Sequence, residues 1–392
     1  MSPQREPKRL RILYHAMVEL ELPDGHAIHT HEICEHLARR GHDVLLLCPR
    51  PRAALPYAHS YKIAGIPFFG FTIPRLLPHF VLCLCRLLYA VLAFRPDVIV
   101  DKNTGLNPFP ELVAFLSGLP FFVEINGCAL DEFRAMPAPR RLAYRTVEYA
   151  KFSLAIRGLA VSPLHNARYA AAYRLPARKF RAFDNGVAER FFAPADADTT
   201  ARLRKAWGVP PERFLLGYAG SFHFDHDMPT FVDAVARLHG DGVPVHAVLL
   251  GKGARLDETA RRVRALGLDG IVTFVGPVPY DTVHACMQAF DCGVILMEPA
   301  RAEALASVMK VKEYVACGIP VLASACSGEI GGLRPFIAQA AVGDAAGVAA
   351  AVRTIMEDRS AAVRRAQAGR RYVQERYSWD ATSRQYVAIL RA

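Results

Sequence analysis

The chain has 392 residues, 52% hydrophobic and 22% charged, a composition that excludes disordered and fibrous chains. The length exceeds what one core usually fills, so two domains are expected and a small disulfide-stapled scaffold is excluded. Lys and Arg number 48 against 37 Asp and Glu, a net charge of +11; no aromatic-basic signature or Lys/Arg block accompanies it, so nucleic acid is not an expected partner.

Nine cysteines, at positions 34, 48, 83, 85, 128, 286, 292, 317 and 326, lie mostly in apolar runs and are never spaced C-x-x-C. They read as buried thiols of a reducing compartment, with no structural zinc. The opening MSPQREPKRLRILYHAM sets charge directly against a short apolar strand, without the long apolar stretch of a leader. A cytoplasmic protein is expected.

In chain order, strand 10–14 precedes helix 28–40 and strand 44–48. The run 80–94, FVLCLCRLLYAVLAF, is apolar except for Arg86. It is shorter than the about 20 residues a membrane span needs, which predicts a buried or half-buried helix. Peripheral docking on an anionic membrane is the other reading of this run and of the net charge. Strand 98–101, helix 108–116, strand 121–125, a basic helix 140–155 and strand 160–161 complete an α/β half. Asn185-Gly186 signals a turn, and the domain boundary is placed in the segment 191–212, with its three prolines. Alternation resumes with strand 215–218, helix 229–238, strand 245–250, helix 256–266, strand 272–275, helix 280–289, strand 292–296, helix 308–316 and strand 321–323. This is the rhythm of parallel sheets covered by helices, whose ligands sit beyond the carboxyl ends of the strands.

The strongest local signal is ASVMKVKEYVACGIPV, residues 306–321. Ser307 is a good N-cap, Gly318 ends the helix and Pro320 bars its continuation. Free N–H groups of the first turn, with the Lys310 ammonium beside them, make an anion site that suits a diphosphate. Glu313 shares the face of Lys310 and suits sugar or ribose hydroxyls; the plainer alternative is a capped helix with a surface Lys-Glu pair. After strand 215–218, Gly220 lets a ligand approach the backbone, while His223 and His226 suit phosphate oxygens. Asp225-His226-Asp227 also spells an Asp-x-Asp triplet of the kind that holds a divalent ion, but three residues match by chance and the metal reading is set aside. Gly251-Lys252-Gly253 lacks the third glycine of a dinucleotide fingerprint and reads first as a tight turn. In the first half, Gly25 and His26 stand where a helix begins, and Glu124 and Asn126 end a strand where an acceptor would sit. With no nucleophile elbow, H-E-x-x-H or Walker A loop, hydrolase and ATPase readings fall away.

Together these residues resemble glycosyltransferase family 4 over nearly the whole chain. Similar motifs are HEI at 31–33 with LARRGHDV at 37–44, PDVI at 96–99, NGV at 185–187, GYAGS at 217–221, LGKG at 250–253, VTFVG at 272–276, the 310–321 run and YSW at 377–379. The resemblance implies an α/β GT-B fold, two Rossmann-like domains with parallel sheets facing a central cleft. Residues 1–190 would bind the acceptor, 191–375 the nucleotide sugar, and helix 376–392 would cross back to the first domain. It implies transfer from a nucleotide-diphosphate sugar to a glycan, lipid-linked or small-molecule acceptor, with retention of configuration and no metal or other cofactor. Lys310 and Glu313 then act on the donor, Lys310 on the departing diphosphate and Glu313 on the ribose, with backbone N–H groups of Ser307, Val308 and Met309 on the phosphates. Gly220, Ser221, His226 and Gly251 complete the donor side; Gly25, His26, Asp101, Glu124 and Asn126 are the acceptor-side candidates. Leu305 stands where the family's first paired glutamate falls, and Ser221 where many members carry a basic residue; Ser307-Val308-Met309-Lys310 resembles the Ser-Pro-x-Lys of one branch. Two other readings share the fold: a nucleotide-sugar-binding or scaffold protein without turnover, motivated by Leu305 and Ser221, and a nucleotide-sugar epimerase.

Overall fold

A computed structural model describes residues 9–22, 25–70, 72–103, 106–126, 130, 136–161, 163–223, 226–298, 309–325 and 331–391. They fall into two compact units, Met1–Asn185 with Thr382–Ala392, and Gly186–Ala381.

In the first unit, β1 (Arg11–His15), β2 (Asp43–Pro49), β3 (Lys62–Ile66), β4 (Val98–Lys102), β5 (Phe121–Ile125), β6 (Arg157–Ala160) and β7 (Phe180–Ala182) form one parallel sheet. The strand order is β3-β2-β1-β4-β5-β6-β7. β4 and β5 are buried along their whole length, so their apolar residues run on without alternation and Asp101, Lys102 and Glu124 are buried with them. Helices α1 (Gly25–Arg39), α2 (Ile73–Ala93), α3 (Phe109–Ser117), α4 (Ala138–Leu154) and α5 (Pro163–Tyr173) cover it. Cys83, Leu87 and Ala90 of α2 enter one core with Val113 and Ala114 of α3 and Phe152 of α4. The 80–94 run is therefore the half-buried helix expected, but it starts earlier and reaches 21 residues. Its Arg75–Ala93 stretch is long and apolar enough to cross a membrane, by length and composition alone, and a third of it (33%) is buried in the protein.

The second unit carries β8 (Phe214–Ala219), β9 (Val245–Leu250), β10 (Val272–Gly276), β11 (Cys292–Ile295), β12 (Val321–Ser324) and β13 (Ala338–Ala340), in the order β10-β9-β8-β11-β12-β13. Its helices are α6 (Ala197–Ala206), α7 (Met228–Gly240), α8 (Leu256–Ala265), α9 (Val283–Gln288), α10 (Met309–Ala316), α11 (Ala345–Glu357) and α12 (Arg359–Tyr377). A last helix, α13 (Trp379–Leu390), belongs with the first unit from Thr382 onward. The segment 191–212 contains α6, started by Asp196, whose carboxylate accepts from the N–H groups of Asp198 and Thr199. The seven described cysteines are free thiols, and all but Cys85 are buried.

Each sheet reverses its winding once, between β1 and β4 in the first unit and between β8 and β11 in the second. Such switch points open a crevice outside the carboxyl ends of the strands, where α/β proteins bind their ligands.

Candidate active site

At the second unit's switch point, the loop after β8 is tied to the loop after β11. The Asp227 N–H donates to the Leu296 carbonyl at 3.0 Å, and His226 bridges Met297. Asp227 also starts α7, its Oδ1 accepting from the Thr230 N–H at 3.0 Å. This acid of the Asp-x-Asp triplet is thus occupied as a helix cap, and Asp225 lies outside the described residues. His226 is half-buried with its ring edge-on to Tyr218, 5.6 Å between centroids. Ser221 is exposed, and its carbonyl accepts from the Tyr218 hydroxyl at 2.7 Å.

The loop after β9 lies directly on the loop after β8. The Gly220 N–H donates to the Leu250 carbonyl at 3.0 Å. Gly251 adopts φ +134°, and a Cβ there would stand 1.8 Å from the Gly220 carbonyl oxygen. The close approach of two backbones is what demands glycine, as the tight-turn reading holds.

Ser307 and Val308 lie outside the described residues, and α10 is described from Met309 on. Tyr314 fixes this helix: its buried hydroxyl accepts from the Ala219 N–H at 2.6 Å, one residue before Gly220. Beside it, Glu313 is 2% exposed and its Oε2 accepts from the Lys310 Nζ at 2.7 Å. The Lys310 side chain keeps 29% of its surface exposed, so the pair is a buried carboxylate under a cation that faces out. A buried carboxylate needs such a partner, and an anionic ligand would share the same cation. Lys312 turns away, its ammonium 4.2 Å from the Tyr377 ring centroid. Gly318 ends the helix as expected, with φ +72° and its N–H donating to the Val315 carbonyl at 2.9 Å. A cavity of about 380 Å³ between Pro229 and α8 includes none of the expected donor residues. Two of its three arginines are already paired, Arg255 with Glu258 and Glu298 and Arg262 with Asp233.

In the first unit, Gly25 and His26 are exposed at the start of α1. The buried Lys102 secures this turn, its Nζ donating to the His26 carbonyl at 2.9 Å and to the Thr30 hydroxyl at 2.7 Å. Asp101 and Glu124 depart from the acceptor-side expectation, because both are fully buried and internally paired. Asp101 Oδ1 meets His15 Nδ1 at 2.7 Å, and its Oδ2 accepts from Lys151 Nζ at 2.7 Å. Burial alone would raise the Asp101 pKa, yet Lys151 and His15 hold it at about 2. Burial likewise opposes the charged His15, but Cys83 and Asp101 raise it to about 10.

Glu124 is saturated. Its Oε1 meets His29 Nε2 and accepts from Asn126 Nδ2, both at 2.7 Å, and its Oε2 accepts from the hydroxyls of Tyr14 at 2.8 Å and Tyr386 at 2.6 Å. Against burial, His29, Lys102 and Tyr386 hold its pKa at about 2. Burial lowers the His29 pKa, so a neutral imidazole donating from Nε2 fits the contact. These two carboxylates brace the ends of β4 and β5 and leave no surface for a ligand. Asn126, half-buried at the strand's end, has an Oδ1 with no hydrogen-bond partner among the described residues.

Several functional-type residues carried no motif. His15, Glu111, Glu148 and Lys151 form a buried titratable group around Asp101, with Glu148 bonded to Asn103 and Tyr173. Both Glu111 carboxylate oxygens lack a partner among the described residues, and burial raises its pKa to about 7. The available signal was charge on the core-facing side of helices, as in Glu148-x-x-Lys151 just before Phe152.

Two parallel-sheet α/β units with polar loops at their switch points are what the GT-B fold is built from, and the solved structures below share that fold. Residues 24–186 match the family described as "Glycosyl transferase 4-like domain", and residues 213–358 match "Glycosyl transferases group 1". The chain belongs to these glycosyltransferases, enzymes that take their sugar from a nucleotide donor. It is 26% identical over 277 residues to a 2-deoxystreptamine glucosyltransferase of Streptomyces kanamyceticus, covering 68% of this chain and 69% of the relative. A glycogen synthase of Mycobacterium tuberculosis is 29% identical over 189 residues, 45% of this chain and 43% of the relative. Among solved structures, Anabaena HepE in complex with UDP and glucose superposes with TM-score 0.77 at 18% identity, covering 98% of this chain and 100% of HepE. Sucrose-phosphate synthase of Thermosynechococcus elongatus gives 0.75 at 19% identity, covering 98% of each chain.

Proposed function

We propose that this glycosyltransferase moves its sugar to a glycan, lipid-linked or small-molecule acceptor with retention of anomeric configuration, and needs no metal ion. The observation that carries the reading is the Lys310–Glu313 pair on α10, pinned by Tyr314 to the end of β8. Backbone N–H groups of Ser307, Val308 and Met309 and the Lys310 ammonium bind the diphosphate, whose charge grows as the anomeric C–O bond breaks. Donors already aimed at that charge stabilise it without reorganising. Lys310 then divides its hydrogen bonds between Glu313 and phosphate, and Glu313 accepts from the ribose hydroxyls. The acceptor hydroxyl attacks on the face the diphosphate leaves, its proton passing to the departing phosphate oxygen, so no protein nucleophile is used. Gly25 and His26, exposed at the start of α1, and Asn126, half-buried at the end of β5, are the acceptor-side groups.

The UDP and UDP-glucose found with HepE, and the glucosyl transfer in the name of the Streptomyces relative, make UDP-glucose the first donor to test. Incubation with UDP-glucose, an acceptor panel and EDTA, followed by NMR of the product anomer, tests each part. Acceptor-dependent UDP release with the donor's own anomeric configuration is expected. An inverted product or loss of activity in EDTA contradicts the corresponding part, and donor conversion without an acceptor points to the epimerase instead.

A further inference from the structure

We propose that the outer face formed by α2, α3 and α4 docks on the surface of an anionic phospholipid bilayer. The three helices pack side by side, α2 on α3 and α3 on α4. Their inner faces fill the first unit's core, while outward they expose large apolar side chains: Leu77 59%, Tyr89 65% and Leu92 75% on α2, Phe115 67% and Leu116 70% on α3, Leu142 68% on α4. Apolar surface of this extent marks an interaction site rather than ordinary scatter.

The charge on the same face identifies the partner. The exposed charged side chains of the three helices are arginines, Arg75, Arg86, Arg140 and Arg145, and their acids, Glu111 and Glu148, are buried inward. The first unit holds 26 Lys and Arg against 15 Asp and Glu, and the second holds 22 of each. All of the net charge therefore resides on the unit that bears this face. A second copy of the chain would bring arginine against arginine with no carboxylate on these helices to answer, since a two-fold interface pairs a patch with itself. Anionic headgroups instead offer phosphate oxygens that guanidinium groups bind bidentately, and the acyl boundary takes the Leu and Phe side chains with Tyr89 at its edge. The helix lies flat rather than spanning, because Leu76, Cys83 and Leu87 are committed to the core. This inference goes beyond the transfer reaction and does not rest on it.

Flotation of the full chain with vesicles of phosphatidylcholine alone, and of phosphatidylcholine with about a third phosphatidylglycerol, tests the proposal. Wild type is expected to float with the anionic vesicles, and to do so less in high salt, since surface charge attraction is screened. The exposed triple variant Leu92→Glu/Phe115→Glu/Leu116→Glu should lose at least about tenfold in partitioning, and Arg75→Glu/Arg86→Glu should lose the preference for anionic lipid, each with unfolding temperature and UDP affinity unchanged. The proposal is overturned if wild type stays unbound, if either variant floats like wild type, or if the face proves to be a dimer contact that the triple variant dissociates in the absence of lipid.

Discussion

At the scale of single residues, the candidate site divides into polar groups left at the surface and groups consumed by the core. Glu111 belongs to the second kind and has a testable sign. Its pKa is raised from 4.5 to about 7, so ionising it penalises the folded state. The penalty is absent below pH 4.5, grows between 4.5 and 7 and is constant above, up to about 3 kcal/mol. Glu111→Gln should therefore stabilise the protein at pH 8 and have little effect at pH 4.5, measured by urea unfolding; equal effects at both pH values would contradict the buried-acid reading. Glu124 carries the opposite sign. With its pKa lowered from 4.5 to about 2, it stabilises the fold above pH 4.5, and that contribution disappears as pH falls toward 2. The Lys310–Glu313 pair and the Gly318 stop were legible because they are local, three to eight residues apart. The partners of Asp101 were not: His15 lies 86 residues away and Lys151 50 residues away, a pairing that only the sheet order creates.

At the scale of elements, central strands and capped helices were readable, while β3, β7 and β13 escaped. All three are edge strands of three to five residues, half-covered and poor in large apolar side chains, so they give neither alternation nor an apolar run. Helix α6 hid in a polar segment because it buries none of its residues and depends on its cap. The paired motifs near positions 186 and 378 explain one another. Val187 bridges Ser378, and a Cβ on Gly186 would stand 2.4 Å from the Trp379 indole. The packed loops after β8 and β9 make a firm prediction: Gly251→Ala places a methyl against the Gly220 carbonyl in a strained backbone conformation. It should destabilise the second unit by about 2–4 kcal/mol. Thermal unfolding checks this, and an unshifted midpoint would mean that the two loops are not held together. Tyr314→Phe, which leaves the Ala219 N–H without its partner, should cost about 1–3 kcal/mol in the same assay.

At the scale of the whole molecule, length and alternation were enough to expect two α/β domains, but not that the charge would divide unequally between them. The chain's end is part of the first unit: Tyr386 bonds Glu124 and packs on Phe183 with centroids 5.1 Å apart, and the Ser383 hydroxyl accepts from Arg40 Nε at 2.7 Å. Removing Thr382–Ala392 should therefore increase hydrogen exchange in β4 and β5, the strands that Glu124 and Asp101 brace; exchange confined to α1 would contradict it. The central claim is that Lys310 binds the diphosphate of a nucleotide sugar without a metal. Its most direct test is calorimetric titration of UDP into wild type and Lys310→Ala, both in EDTA. The predicted result is wild-type binding that the variant weakens by about 1.5–3 kcal/mol, the worth of a hydrogen bond to a charged group, or roughly 10- to 150-fold in Kd. Equal affinity in the two proteins, or wild-type binding that disappears in EDTA, would contradict it.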